Sequence, residues 1–369
     1  MSANLQQHDK FVAYGRQLLP TVLQSRLVNL GWLVLSLLAS TDSHLSSLAE
    51  VIPLAATDLS LEQRLRRWLK NGAIDVRAWY EPFVTASLQS FCATTVYVVL
   101  DSTQYGAGCR ALVVGIAYAG QVLPLGWRVI KGRKGHTDPD LQNELLSEIR
   151  TCLPPGQVVL VADSEFCAVE LLRAVQDWGW HFIVRVRGNV YLQPVRGAAF
   201  TLSQARLSSG QTRVWSDVAW TQKHVFGSLM AIATWQVGEP EPLFVLTNTR
   251  NPQAALLVYR WRFWIEPLFG DYKGRGFRLG LSRLRDPERL SRLLLAASLA
   301  YLWSLSLGSH IFHTAKQRLV DRNDRSDRSL FQLGCRFIRR CWKLAAHADI
   351  LFQLCADWFP VSLTLSTVR

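Results

Sequence analysis

Apolar side chains recur every three to four positions through the first part of the chain, a spacing typical of amphipathic helices. The pattern predicts helices at residues 9–24, 26–38 and 45–50, and a fourth helix that starts at Ser60. Ser60 and Gln63 have the spacing of a capping box. The polar face of this fourth helix carries four basic residues, Arg64, Arg66, Arg67 and Lys70. That face either binds DNA or is simply solvated, and both interpretations stay open.

After residue 94 the period changes to that of extended chain. Runs of β-branched and aromatic residues predict strands at residues 95–100, 111–118, 122–130, 158–161 and 182–186. Residues 137–152 and 166–178 keep a helical period and separate the last three strands. A short turn at residues 119–121 makes the second and third strands an antiparallel hairpin. The order β-β-β-α-β-α-β predicts a mixed sheet covered by helices, which is the order of the ribonuclease H fold.

The helical pattern is lost between residues 187 and 250, where short extended pieces predict a β-rich insertion. Asn251 and Pro252 then have the cap and first-position chemistry of a new helix that reaches about Gly270. The chain is helical again from Pro287, and its residues 293–308 carry no charge. This run is shorter than the roughly twenty residues of a membrane span and contains three serines, so a buried core helix fits it better.

These patterns divide the chain into five regions and predict an α/β fold. The core is predicted to be a ribonuclease H-like mixed sheet split between residues 93–188 and 251–312, with the β-rich insertion at residues 189–250. Helical regions flank it at residues 1–92, which are a candidate for DNA binding, and at residues 313–369.

Composition narrows the class of protein. Hydrophobic residues make up 49% of the 369 residues and charged residues 19%, which excludes a disordered chain. Lysine and arginine number 41 against 28 acidic residues, and the net charge of +13 favours a polyanionic partner. The seven cysteines are scattered, and the first twelve residues lack a secretory pattern. We therefore expect buried thiols in a cytoplasmic protein with no membrane partner.

Two aspartates follow the strongest strand patterns. Asp101 comes after residues 95–100, and Asp163 comes after residues 158–161 and Ala162. Side chains at the carboxyl ends of strands in open α/β sheets converge on a crevice, and carboxylates there suit magnesium or manganese. Either aspartate taken alone could equally be a turn or helix-capping residue.

A third carboxylate lies on the predicted helix after residue 251. Tyr259, Arg262, Glu266 and Lys273 fall within one narrow stripe at about 100° per residue, provided that the helix is unbroken. Glu266 can complete the metal site, Arg262 and Lys273 can grip phosphates, and Tyr259 can donate a hydrogen bond to a DNA backbone. The alternative is an amphipathic helix whose polar face only meets water.

These residues resemble the insertion-sequence transposases of the DDE class, in the subgroup with a Tyr-Arg-Glu-Lys signature. The spacing Tyr-x2-Arg-x3-Glu-x6-Lys is reproduced without a gap from Tyr259 to Lys273. The resemblance departs at Ser164, where the family often has arginine after its second aspartate. Pro267 predicts a kink just after Glu266, since proline removes a helical hydrogen bond.

The resemblance implies a metal-dependent DNA transposase. Asp101, Asp163 and Glu266 would be its catalytic residues and would hold two Mg²⁺ or Mn²⁺ ions. Such enzymes cut double-stranded DNA at inverted-repeat ends and paste those ends into target DNA, and the resemblance to this subgroup implies release of the ends through a hairpin. Because two ends are cut, a homodimer is expected in the synaptic complex. Two alternatives stay open: an inactive or domesticated DNA-binding descendant, and a ribonuclease H-like nuclease without strand transfer.

Further basic and aromatic residues are candidates for DNA contact. Arg275 and Arg278 belong to a basic loop after Lys273 that is expected to clamp the DNA backbone. The cluster that follows the third strand touches DNA or is a solvated loop, and it contains Lys131, Arg133 and Lys134. Three tryptophans of the insertion either stack on a flipped base or pack within the sheet, namely Trp215, Trp220 and Trp235.

Overall fold

The computed structural model describes residues 3–40, 42–89, 94–105, 108–132, 137–220, 225–314, 316–322 and 328–344. Its α-helices are α1 Ala3–Leu18, α2 Gln24–Ala39, α3 Leu45–Glu50, α4 Asp58–Lys70, α5 Val76–Leu88, α6 Pro139–Ile149, α7 Val169–Asp177, α8 Pro252–Tyr259, α9 Ile265–Gly270, α10 Pro287–His313 and α11 Leu330–Leu344. Its strands are β1 Thr95–Tyr105, β2 Cys109–Tyr118, β3 Gln121–Lys131, β4 Gln157–Ala162, β5 His181–Arg185, β6 Tyr191–Pro194, β7 Phe200–Thr201, β8 Thr212–Trp220, β9 Phe226–Thr234 and β10 Leu243–Thr247.

The strands form one mixed sheet, which across the described ranges has ten strands in the order β3-β2-β1-β4-β5-β10-β9-β8-β6-β7. The first three are antiparallel, whereas β1, β4 and β5 run parallel. Ala119 and Gly120 join β2 to β3 with φ of 47° and 77°, the two positive values that a tight type I′ hairpin turn requires. The predicted mixed α/β sheet with flanking helices is confirmed.

Strands from the predicted insertion extend this sheet rather than forming a separate one. β10 pairs antiparallel with β5, with Val245 opposite Arg185, and β9, β8, β6 and β7 follow outward. Alternating apolar residues predict that strands exist, but pairing partners depend on tertiary contacts that a sequence pattern does not carry. The insertion therefore lengthens the catalytic sheet at one edge.

The N-terminal helices differ from the prediction at their ends. α1 stops at Leu18 instead of continuing to residue 24, because Pro20 disfavours helical backbone in the residue before it. The predicted cap at Ser60 is wrong: Thr57 caps α4, and its hydroxyl accepts from the Ser60 N–H at 3.3 Å. Helix α5 was not predicted, although Asp75 caps it by accepting from the Ala78 N–H.

Helix α10 crosses the centre of the core. By length and composition it is the helix, within the described part of the chain, that could cross a membrane, but 94% of its most apolar window is buried inside the protein. Gly308 and Gly334 let α10 and α11 touch, since a Cβ on Gly308 would lie 1.8 Å from the Leu330 carbonyl oxygen. These features are those of a core helix packed against its neighbours, as its pattern predicts.

Candidate active site

Strand pairing places Asp101 beside Asp163. The parallel register of β1 and β4 ends with Leu100 opposite Ala162, so the two aspartates are the next residues of neighbouring strands. The prediction that Asp101 ends its strand is wrong, because β1 continues to Tyr105 through its antiparallel pairing with β2. Asp101 instead marks the end of the parallel pairing, which still brings both carboxylates to one level of the sheet.

The segment that carries Glu266 is not one unbroken α-helix. A 3-10 turn, Arg260–Trp264, separates α8 from α9, and a π-helical turn, Asp271–Arg275, follows α9. The regular stripe expected from 100° per residue therefore does not apply along the whole segment. Pro267 is the third residue of α9, and the change from the 3-10 turn to α9 lies before Glu266, between Trp264 and Ile265.

The guanidinium of Arg262 lies between the three carboxylates. Its Nη1 is 3.1 Å from Asp101 Oδ2 and 3.9 Å from Asp163 Oδ2, and its Nη2 is 3.5 Å from Glu266 Oε1. We call these four residues the carboxylate site. The Arg262 side chain is only 10% exposed, whereas that of Glu266 is 58% exposed. A cation buried to this degree needs nearby negative charge, and the carboxylates supply it.

Burial also governs the protonation of two groups in the site. It raises the pKa of Asp101 to about 6, while the Arg262 guanidinium and the Ser102 N–H act in the opposite direction. Burial is likewise the main reason why the pKa of Tyr259 rises to about 12. Tyr259 is 2% exposed and packs edge-on against Phe263. The phenol therefore stays protonated and can only act as a neutral hydrogen-bond group.

The donor set suits a divalent cation, although the side chains are not yet grouped around one. Across the residues that the structure describes, no three His, Cys, Asp or Glu side chains are close enough to hold a metal ion together. Asp101, Asp163 and Glu266 nevertheless surround one guanidinium, and carboxylate oxygens are the ligands that Mg²⁺ and Mn²⁺ prefer. The buried Nε of Arg262 finds no acceptor in the described chain. The chemistry of these donors therefore fits divalent cations, while their present grouping is around the guanidinium.

Lys273 comes close to the first aspartate motif from the π-helical turn. Its Nζ donates to the hydroxyl of Thr103 on β1 and lies 5.6 Å from the centre of the Tyr105 ring. Partial burial lowers the pKa of Lys273, and the carboxylate of Asp101 opposes that effect. The lysine thus faces the same stretch of β1 that carries Asp101.

The other predicted DNA contacts are more scattered. Arg275 is exposed and donates to the Pro267 carbonyl at 3.2 Å, while Arg278 is exposed with a left-handed φ of 50°. Lys131 is exposed at the end of β3, and Arg133 and Lys134 lie outside the described residues.

The three tryptophans of the insertion have different surroundings. Trp220 is 6% exposed and belongs to the core, so it packs within the fold. Trp215 packs against Phe200 with ring centres 5.1 Å apart, and Trp235 donates to the Glu239 carbonyl at 2.9 Å. Trp215 and Trp235 are half-buried and keep some accessible ring surface.

Glu165 is a residue of the site that the sequence did not single out. Its Oε2 accepts from the Ser102 hydroxyl at 2.8 Å. Its Oε1 accepts from the Thr137 N–H at 3.0 Å and from the Thr137 hydroxyl at 2.8 Å, and Arg110 lies 3.8 Å away. Glu165 therefore ties the two aspartate motifs to each other and to the start of α6. An acidic residue two positions after Asp163 was visible, but its partners lie far away in the chain.

More than half of the chain is similar in sequence to a known family of proteins. The sequence model of one family, described as the transposase DDE domain, matches residues 98–303. One solved structure that resembles the chain is a cryo-EM structure of the piggyBac transposase synaptic complex with hairpin DNA. It has 11% sequence identity and a TM-score of 0.46, and the match covers 98% of this chain and 80% of that one. No curated protein matches the sequence.

Proposed function

Because the chain belongs to the family of transposase DDE domains, we propose that it cuts DNA at the ends of a mobile element and joins those ends to a target. Membership makes the chain a DNA transposase. The cut-and-paste order of events, the two divalent ions and the Tyr-Arg-Glu-Lys subgroup are our proposals. The residues around Asp101 support them.

One observation carries the proposal: Asp101 and Asp163 are neighbours at the end of a parallel pairing, and Arg262 links both to Glu266. Three carboxylates, the first and last of which are 165 positions apart in the chain, meet around one cation. An exposed Glu266 beside two less exposed aspartates leaves the site open to solvent on one side. A phosphodiester can approach from that side.

Each residue of the site has a role that its chemistry allows. Asp101, Asp163 and Glu266 would hold Mg²⁺ or Mn²⁺ through their oxygens. Bound divalent ions lower the pKa of an attacking water or DNA 3′-hydroxyl and neutralise charge on the leaving oxygen. Arg262 holds the carboxylates together before cations bind and can then turn to a phosphate oxygen. Lys273 offers an ammonium to the neighbouring phosphate.

The partner in this proposal is double-stranded DNA, both as element ends and as target. The net charge of +13 suits such a polyanion. Two ends have to be cut, so we propose a homodimer in the synaptic complex, acting in the cytoplasm. We also propose that excision passes through a hairpin, with Trp215 or Trp235 as the ring that stacks on a flipped base.

The test uses the purified chain, end-labelled duplex from the DNA that flanks its gene, and Mg²⁺ or Mn²⁺. We expect the wild type to cut at the inverted repeat and to transfer the cut strand. Asp163→Ala and Glu266→Gln are expected to bind the same duplex but to lose cleavage by a factor of about 10³ or more. The matched control is Glu241→Gln, because Glu241 is an exposed glutamate of the insertion paired with Arg185.

The outcomes separate the candidate functions. Cleavage by either carboxylate variant at the wild-type rate would remove that residue from the site. Cleavage without strand transfer would favour a nuclease, and binding without any cleavage by the wild type would favour an inactive DNA-binding descendant. A loss in Glu241→Gln equal to that in Glu266→Gln would show that the effect is general rather than local.

A further inference from the structure

A second cationic site lies away from the carboxylates, where the N-terminal helices meet the start of α10. A cavity of about 540 Å³ opens there between α3, α4 and the chain segment that precedes α10. Four arginines line it, and they are Arg66, Arg283, Arg285 and Arg289. We call this cavity the arginine cleft.

Both acidic side chains of the cleft already have partners within the protein. Glu62 pairs with Arg66 one helical turn away on α4. Asp286 caps α10, and its Oδ1 accepts from the Arg289 N–H at 2.9 Å. With four arginines against these two acids, the charged lining has a net charge of +2. Arg283, Arg285 and Arg289 have no carboxylate partner in the chain as far as the structure describes it, so their guanidinium groups are free to bind an anion.

Backbone strain at one of these arginines argues against a purely structural role. Arg283 has φ of 56°, in the left-handed region that costs a non-glycine residue about 1 kcal/mol. It follows the 3-10 turn Leu279–Ser282, at a place where glycine is the favoured residue. The side chain is exposed, and it has no ion pair or hydrogen bond with the part of the chain that the structure describes. An arginine at this position therefore favours a function for its charge.

One residue that lines the cleft, Arg285, contacts the strand pair that also carries Asp101. The Cys109 thiol, on β2, donates to the Arg285 carbonyl at 3.4 Å. Cys109 is opposite Tyr105, four residues beyond Asp101 on β1. Four residues of strand span about 13 Å. Lys273 sits between the two sites, on Thr103.

We propose that the arginine cleft binds the phosphodiester backbone of duplex DNA, on the same duplex that the carboxylate site cleaves and away from the cleaved bond. Arg283 and Arg285 are exposed on a loop, and Arg289 is half-buried on α10. Guanidinium groups without a carboxylate partner in this arrangement suit successive phosphates of a backbone. The assignment of a cleaved bond rests on the proposed function, whereas binding of the backbone does not.

The experiment measures binding without cleavage. A fluorescein-labelled duplex of 40 base pairs and mixed sequence is titrated in EDTA between about 50 and 300 mM KCl, with fluorescence anisotropy as the readout. The variant is the double substitution Arg283→Ala and Arg285→Ala. The charge-matched control is Arg196→Ala with Arg213→Ala, which removes two exposed arginines from the insertion.

We expect the slope of log K against log salt to become shallower by about 1 to 2 in the cleft variant, because each lost phosphate contact contributes about 0.9. Affinity at about 100 mM salt should fall about tenfold or more, while the control stays within about twofold of wild type. Arg283→Gly should also lose affinity without losing thermal stability, since glycine relieves the left-handed strain. A structural role for Arg283 predicts the reverse.

Several results would overturn the proposal. One is an unchanged salt slope in the cleft variant, and another is an equal loss in the control. Wild-type cleavage with an unchanged slope would remove the cleft proposal alone. A changed slope with no cleavage of any DNA by the wild type would keep the cleft and remove the proposed function.

Discussion

The carboxylate site and the arginine cleft both contain arginine, but in the first the side chain is buried and paired, and in the second it is exposed and unpaired. Arg262 is 10% exposed and lies within 4 Å of three carboxylates. Arg283 and Arg285 are exposed and lack any such partner in the described chain. The first guanidinium is fixed by neighbours of the same protein, whereas the other two are exposed to solvent.

The difference shows that arginines of one protein can have two tasks, one that positions catalytic groups and one that binds DNA. A buried cation determines where the carboxylates lie, and bulk salt screens its interactions little. Exposed cations contribute little to folding, but they release counterions from DNA and so give affinity that depends on salt. Loss of the buried arginine should therefore mainly disturb the positions of the carboxylates. Loss of the exposed arginines should mainly lower the affinity for DNA.

The largest effect is expected from Arg262→Ala. Without the guanidinium, three carboxylates lose their shared cation, and the free energy of unfolding in EDTA should fall by about 3 kcal/mol. Mn²⁺ should raise the melting temperature of this variant more than that of the wild type. In the variant, the ion no longer competes with a guanidinium for the three carboxylates. Calorimetry with and without Mn²⁺ measures both quantities. Arg260→Ala is the control, since Arg260 lies on the same turn but is exposed and bonded to Gln236.

An Arg262→Ala protein as stable as the wild type would break the comparison. So would an equal response of both proteins to Mn²⁺. Either result would mean that Arg262 is held by the surrounding packing and not by the carboxylates.

Glu165→Ala should come next. The change removes the acceptor of three hydrogen bonds that join Ser102 to Thr137, so the two aspartate motifs lose their tie. A shift of about 1 Å in the site is expected to lower single-turnover cleavage about 10²-fold. Glu165→Gln should recover most of the rate, because the amide oxygen still accepts from Thr137 and the amide N–H₂ donates to Ser102.

The control for that experiment is Glu170→Ala, an exposed glutamate at the start of α7. If Glu165→Gln cleaves as poorly as Glu165→Ala, the negative charge of Glu165 matters and its hydrogen bonds do not. Mn²⁺ titration of each variant then shows whether that charge acts on cation binding.

Asp271 and Arg275 form an ion pair of intermediate kind, in which the carboxylate is buried and the guanidinium is exposed. The Asp271 carboxylate is 2% exposed, while its partner Arg275 is 55% exposed and 3.6 Å away. Burial raises the pKa of Asp271 to about 7. The folded protein then keeps a proton that the unfolded chain loses above about pH 4, so stability falls as the pH rises from there to about 7.

Asp271→Asn removes this dependence on pH. Relative to the wild type, its free energy of unfolding should rise by about 2 kcal/mol between about pH 5 and pH 8. Urea unfolding at both pH values measures the change. A constant difference between the two proteins would show that Arg275 keeps Asp271 ionised in spite of its burial.

The smallest effect on folding is expected in the cleft itself. Arg289→Gln should change the free energy of unfolding by less than about 0.5 kcal/mol, because its guanidinium has no carboxylate partner in the described chain. The same variant should weaken DNA binding more at low salt than at high salt. A loss of stability as large as that of Arg262→Ala would show that Arg289 in the cleft contributes as much to folding as Arg262 does in the carboxylate site.

Much of the fold was predictable because strands and helices leave periodic patterns. The runs before Asp101 and Asp163 gave two of the strands that meet in the sheet, and the spacing from Tyr259 to Lys273 gave the third part of the site. Those patterns do not show which strands pair with each other in the sheet. Asp101 lies within β1 because β2 continues alongside it, and no run of β-branched residues encodes that neighbour.

Long-range side-chain contacts were equally out of reach. Arg262 was predicted to grip phosphate, and nothing in its local sequence shows that three carboxylates surround it. Glu165 depends on Ser102 and Thr137, which lie 63 and 28 positions away. The arginine cleft brings Arg66 next to residues more than 200 positions later. Such contacts are decided by packing, which one sequence does not display.

The pairing of β5 with β10 has a consequence for modularity. The chain leaves the catalytic strands at Arg185 and returns at Val245, which lie opposite each other in adjacent antiparallel strands. Opposed residues of such strands are about 5 Å apart, a gap that a two-residue turn can close. The chain between them enters and leaves the core at two adjacent points, while its inner residues Met230 and Ile232 share a hydrophobic cluster with Val161 and Tyr259. A segment attached in this way can be lengthened at its outer strands, in evolution or by design, while its inner strands and the three carboxylates keep their places.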